Sequence, residues 1–159
     1  MWWTHPRIAS TTSALLFSLL RSSETVTTPA GQPTLLMANP ALMVVAPIVF
    51  KDNGYDARRD FVPVAHVTDY DFGIATGPAV PVREIAHLLA WLRANPTQAN
   101  FGVPATGSLP HFFGLMLAKQ AGVQGQVVGY RGSGPLATDL IGGQIPVAID
   151  TLDVLATLH

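Results

Sequence analysis

The sequence predicts an α/β fold organised around a buried, largely parallel sheet, and three observations carry that expectation. Residues 100–150 run strand, loop, helix in succession. The candidate strands are short and apolar at their centres, as strands covered on both faces are. The first two loops each bring Gly, Ser and Pro to the point where a helix must start.

Asn100–Val103 is the first strand, and Pro104, Ala105, Thr106, Gly107 and Ser108 form its loop. Leu109–Ala121 follows as a helix, because Leu109, Phe112, Phe113, Met116 and Leu117 recur on one face and Gly122 ends the run. Gln126–Gly129 is the second strand, residues 130–133 its loop and residues 134–141 its helix. Residues 145–149 form the third strand, which ends on Asp150.

Ser108 and Ser133 are expected to cap orphan N–H groups. Pro110 and Pro135 fall in first turns, where a missing N–H costs little. Gly107, Gly132 and Gly134 allow close approach or positive φ. Two helix starts at one end of a parallel sheet make a concave rim of N–H donors and positive dipole ends, which suits a carboxylate. In open α/β sheets the crevice lies beyond the carboxyl ends of the strands. Residues 105–108, 130–133 and Asp150 are expected there.

A chain of 159 residues holds one domain or a little more. With 48% hydrophobic and 12% charged residues it is not a disordered chain. A net charge of -1 offers no field for nucleic acid or for an anionic membrane surface, so an anion must be held by local dipoles. The absence of Cys excludes disulfides and thiolate metal sites but leaves the compartment open. His5, His66, His87, His111 and His159 have no metal-ligand spacing, and no cofactor motif is present.

Taken from the start, residues 8–20 are a largely apolar run that faintly resembles the h-region of a signal peptide. An amphipathic or disordered leader is the alternative, and the run is too short to cross a bilayer. Residues 22–33 read as a linker, and residues 34–37 as a strand ending at Ala38, Asn39 and Pro40. Residues 41–50 have helix length, although their Val and Ile content keeps strand as a rival. Residues 51–60 are an exposed charged loop. Residues 61–68 and 71–76 read as strands around an Asp-Tyr-Asp junction, the expected crossover between two lobes. Residues 82–94 are the clearest helix, with Ile85, Leu88, Leu89 and Leu92 on one face and Asn95-Pro96 as the stop. Residues 151–159 begin another helix without a returning strand, so the sequence reads as incomplete there.

The residues in their order carry a family resemblance. They are Thr34-Leu35-Leu36-Met37, Tyr55-Asp56, Arg59-Asp60-Phe61-Val62-Pro63-Val64, Phe101-Gly102, Gly107-Ser108 with His111, Tyr130 to Pro135, Asp139-Leu140, Gly142 to Ile145, and Asp150. This ladder, from about Gly31 to Leu155, resembles the substrate-binding proteins of tripartite tricarboxylate transporters, the Bug-type or TctC-like receptors.

The resemblance implies a periplasmic-binding-protein-like fold of type II, here one largely complete lobe plus part of a second. Residues 1–33 are a leader and linker that match the family poorly, residues 34–76 a partial first lobe and crossover, and residues 77–159 the second lobe. The family's Pro- and Gly-rich first-lobe loop and its C-terminal return segment have no counterpart. The function implied is capture of a small carboxylate, a di- or tricarboxylate or an acidic amino acid, in the periplasm, with the transporter's membrane subunits as partners. No nucleic acid, cofactor or metal is expected. Ala105, Thr106, Gly107, Ser108 and His111 are the implied second-lobe clamp, Asn39 approaches from the first lobe, and Asp150 lies at the cleft. A non-binding truncated remnant is the alternative.

Each site residue also has an ordinary role open to it. Ser108 serves as a plain helix cap, His111 as a helix-surface residue, Asp150 as a cap for the helix at Thr151, and Asn39 as a turn residue. Arg131 is either a carboxylate partner or a solvent-facing charge, and Tyr130 packs the cleft wall. Ser108, His111 and Asp150 are also the residue types of a hydrolytic triad. No G-x-S-x-G elbow is present, however, and a Ser and a His three apart at one helix start do not form a standard nucleophile–base pair.

Overall fold

The computed structural model describes residues 12–19, by backbone path alone, and residues 35–158. The chain divides into two compact units that part between Tyr70 and Asp71.

The smaller unit is a three-stranded antiparallel sheet in the order β2-β1-β3. Its strands are β1 (Thr12–Leu19), β2 (Leu35–Ala38) and β3 (Phe61–Tyr70). Within the apolar run of residues 8–20, residues 12–19 thus form the central strand of this sheet. Thr12 pairs with Tyr70 and Leu19 with Phe61, while Leu15 pairs with Ala38. An apolar run with interspersed Ser and Thr satisfies a strand as well as an h-region, and here two distant strands supply its backbone partners. The rest of residues 1–33 lies outside the described residues.

After β2 the chain turns on Asn39 into a π-helical turn (Ala41–Val45) and a short helix α1 (Ala46–Val49), so helix prevails over strand in this stretch. The charged loop is pinned by its own carboxylates. Asp56 accepts from the backbone N–H groups of Arg58 and Arg59. Buried Asp60 accepts from the N–H of Asp56 at 2.8 Å and pairs with Arg59 at 2.9 Å. Phe61, Ala38, Leu36, Met43 and Tyr55 form a small core beside it.

The larger unit is a four-stranded sheet in the order β4-β7-β5-β6. β5 (Asn100–Val103) lies parallel to both β6 (Gln126–Gly129) and β7 (Val147–Thr151), while β4 (Phe72–Thr76) is an antiparallel edge on β7. The strands on either side of Tyr70-Asp71 therefore belong to different sheets. α2 (Ile85–Ala94) begins three residues later than its hydrophobic pattern suggests, because Glu84 is still extended at φ -134 and ψ 150. α3 (Leu109–Ala121), α4 (Ser133–Ile141) and α5 (Leu152–Ala156) complete the unit.

The central strands β5 and β7 are buried on both faces, as their apolar sequences require. On one face Leu88 and Leu92 of α2 and Ala118 and Ala121 of α3 pack with Phe101, Val103, Val147 and Ile149. On the other, Leu136 and Leu140 of α4 and Leu155 of α5 pack with Ile145 and Ala148. The alternation along β7 thus sends Val147 and Ile149 one way and Ala148 the other. α3 approaches the sheet closely at Gly114, where a Cβ would lie 3.1 Å from Val127 and 3.3 Å from Phe101.

Candidate functional site

β5, β6 and β7 run in one direction, so their carboxyl ends share one rim. The Val103 carbonyl accepts from the N–H of Tyr130 at 2.8 Å, and the Pro104 carbonyl accepts from the N–H of Gly132 at 2.8 Å. These two bonds tie the loop after β5 to the loop after β6. Gly129 brings them into contact: a Cβ there would sit 2.1 Å from Thr106 Oγ1 and 3.0 Å from Thr106 N. Ala105, Thr106, Gly107 and Ser108 therefore lie beside Tyr130, Arg131, Gly132 and Ser133.

The serine caps expected from the sequence are not what closes these helices. Ser108 occupies the N-cap position of α3, but its hydroxyl donates to the Ala105 carbonyl at 2.7 Å. Ser133 is the first residue inside α4, and Gly132 stands before it at φ 100. Gly107, at φ 79, lets the chain fold back so that the Ser108 hydroxyl finds Ala105 rather than the helix. With neither helix capped by a side chain, their first N–H groups keep their donor capacity. Among the described residues, no group accepts from the N–H groups of Thr106, Gly107, Leu109, Ser133 or Gly134. Exposed Ala105 and Thr106 leave this row of donors open to the rim.

Two side chains at the same rim are short of partners. His111 lies in the first turn of α3, half-buried, with its Nδ1 enclosed and unbonded among the described residues. Its ring meets Phe112 edge-on at 5.7 Å. Asp150, only 3% exposed, is the penultimate residue of β7. Its Oδ1 accepts from the N–H of Thr151 at 2.7 Å, and its Oδ2 is enclosed without a donor among the described residues. The Oδ1 bond reaches only the N–H of Thr151, which is itself the N-cap residue of α5, so α5 has no side-chain cap. Buried polar atoms are normally bonded. Two of the three enclosed side-chain atoms that lack a partner among the described residues belong to His111 and Asp150. The third is Asn53 Nδ2, in the smaller unit.

Tyr130 fixes the second loop. Its hydroxyl donates to Asp139 Oδ2 at 2.9 Å, and its ring lies against Gly102. Burial, then the neighbouring Asp139 carboxylate, pushes the phenol up to about 12 from an ordinary value of 10.0. A raised value favours the neutral phenol in the fold. That stabilisation is complete below pH 10.0 and is lost as pH climbs through about 12. Urea unfolding across this alkaline range is expected to fall more steeply for the wild type than for Tyr130→Phe. At neutral pH the Phe variant should lose about 1 kcal/mol, the contribution of one hydrogen bond.

Arg131 is exposed and forms no ion pair among the described residues, so its charge faces solvent. Asn39 lies in the smaller unit as a turn residue, and its carbonyl and Oδ1 both accept from the N–H of Leu42 at 3.1 Å. The triad geometry is not assembled, because the Ser108 hydroxyl is committed to Ala105 and not to His111. Among the described residues there is no group of three or more candidate metal ligands, and no helix is long and apolar enough to cross a membrane. Sequence reasoning missed Gly129 and the Tyr130–Asp139 bond. The glycine at a strand end, before an aromatic residue, was the available signal.

With this geometry in hand, three kinds of similarity bear on the chain. The family described as "Tripartite tricarboxylate transporter family receptor" matches residues 21–158. A UPF0065 protein of Bordetella bronchiseptica is 37% identical over 77% of this chain and 36% of its own length. Among solved structures, Rpa4515 of R. palustris with adipate superposes with a TM-score of 0.68 at 29% identity, over 75% of this chain and 40% of that one. The periplasmic binding protein BugD gives 0.63 at 27% identity, over 70% and 37%. These neighbours carry the α/β periplasmic-binding-protein fold expected from the sequence, and the chain spans little more than a third of the curated relative's length.

Proposed function

The chain belongs to the tripartite tricarboxylate transporter family of receptors, and from that premise we propose that its larger unit is the carboxylate-holding part of a periplasmic solute receptor. The family is one of receptors rather than enzymes. The observation that carries the reading is the joined pair of loops at the carboxyl ends of β5 and β6. There, uncapped helix starts and unbonded N–H groups adjoin His111 and Asp150. Such a rim binds a carboxylate by backbone donors and helix dipoles, without a cationic side chain. The adipate held by the R. palustris neighbour supports a carboxylate as the ligand.

In this reading Ala105, Thr106, Gly107 and Ser108 supply the backbone cradle, and His111 and Asp150 supply side-chain polarity beside it. The membrane subunits of a tripartite transporter are the partners, the periplasm is the compartment, and no bond is made or broken. Calorimetric titration with succinate, adipate, citrate, L-aspartate and L-glutamate is expected to give saturable heat for at least one of them. Silence across that panel would instead favour a non-binding remnant. Turnover of simple esters that disappears in Ser108→Ala would replace the receptor by an enzyme.

A further inference from the structure

The smaller unit carries an apolar surface that its own core leaves bare. The π-helical turn and α1, which follow β2, contain no buried residue. Met43 is the residue of this stretch that packs on the small core beside Ala38 and Phe61. Leu42, Val44, Ile48, Val49 and Phe50 are all exposed, Val44 at 57% and Ile48 at 79%. Apolar side chains bared side by side in this way mark an interaction surface. The Tyr55 hydroxyl donates to the Leu42 carbonyl and so fastens the charged loop of residues 51–60 to the apolar turn. Turn and loop together make one surface, apolar at its centre and charged at its rim.

The charges on that rim balance. Asp60 is engaged by Arg59. Lys51 and Arg58 remain against Asp52 and Asp56, all four exposed and none in an ion pair among the described residues. An anionic lipid surface or a nucleic acid gains nothing from such a rim, because its field sums to zero. A second copy of the chain does gain. Across a two-fold axis each cation can face a carboxylate of the other copy while the apolar centres meet. The size agrees with this. A bared aliphatic side chain shows on the order of 100 Å² of apolar surface, so the five leave about 300 Å² uncovered on each copy. Two such centres with their polar rims come to about 1,000 Å², where specific but weak interfaces begin.

We infer that residues 42–50 and the loop after them are a self-association surface, through which two copies pair isologously as a weak dimer. The test is sedimentation velocity of the whole chain from about 1 µM to about 200 µM, a range that spans the association of a small interface. The average mass is expected to rise with concentration toward that of a dimer. Ile48→Glu, at a strongly exposed position, brings like charges together and is expected to weaken the association at least about tenfold, with an unchanged circular dichroism spectrum. Phe50→Gln takes its place if that spectrum changes. Met116→Glu, at an exposed position of α3 in the larger unit, is expected to leave the association as it is. A monomer throughout the range, or an association that both Ile48→Glu and Phe50→Gln leave unchanged, overturns the assignment. Binding to phosphatidylglycerol vesicles by a chain that stays monomeric, lost in Ile48→Glu, overturns it in favour of a lipid surface.

Discussion

A leucine in place of Gly107 is expected to weaken carboxylate binding by about tenfold or more. Gly107 sits at φ 79, in the left-handed region, where a side chain costs roughly 1–3 kcal/mol. The loop is partly exposed, so the substituted free protein can relax into an unstrained path without unfolding. Binding must then restore the path that aligns the N–H groups of Thr106, Gly107 and Leu109. The strain appears as lost affinity, at about 1.4 kcal/mol for each factor of ten. Arg131→Ala should change affinity by less than about threefold, since that guanidinium faces solvent. Titrating both variants with the best ligand of the panel ranks them. A larger loss from Arg131→Ala would mean that side-chain charge, rather than backbone, holds the anion.

The second large effect is on stability. Phe101→Ala is expected to cost about 3–5 kcal/mol, against a total of about 5–15 kcal/mol for a typical domain. Phe101 is fully enclosed in β5, between β6 and β7, under α3. Its ring fills the space beside Gly125, where a Cβ would come within 2.5 Å of Cε2. Paired strands on both sides prevent the sheet from collapsing into the hole, which is the condition under which the cavity penalty is largest. Val128→Ala on the edge strand β6, where the side chain is 39% exposed, should cost less than about 1 kcal/mol. Urea unfolding followed by circular dichroism compares the two. A Phe101 loss no greater than that of Val128 would remove β5 from the centre of the core.

The parts of the fold that local chemistry dictates were legible. α3 shows its apolar stripe and its Gly122 stop, and Gly122 is indeed left-handed at φ 70, donating to Ala118 and Lys119. β5 and β7 announce themselves as short apolar runs because both of their faces are covered. β1 was not legible as a strand. What makes it one is pairing with Leu35–Ala38 and Phe61–Tyr70, and no window of neighbouring residues contains those partners.

The candidate site divides in the same way. The meeting of the Gly107 and Ser133 loops follows from strand direction and was expected. The direction of the Ser108 hydrogen bond was not, because a hydroxyl serves as donor or acceptor and only the backbone turn at Gly107 decides between them. The unmet oxygen of Asp150 is likewise a fact of packing: the residue type announces a charge, and its neighbours determine what is left to satisfy it.

The place of β4 beside β7 has a consequence for the order in which the larger unit is made. β4 is the first of its strands to leave the ribosome, yet its ladder partner is the last, with Phe72 waiting for Thr151. Helices α2 and α3 can form on local contacts while that partner is still unmade, but β4 has no strand to bind until β7 emerges. Until then Ile74 lies on a strand whose ladder partner is still unmade. A chain that has not yet formed β7 is thus exposed to wrong pairing along β4.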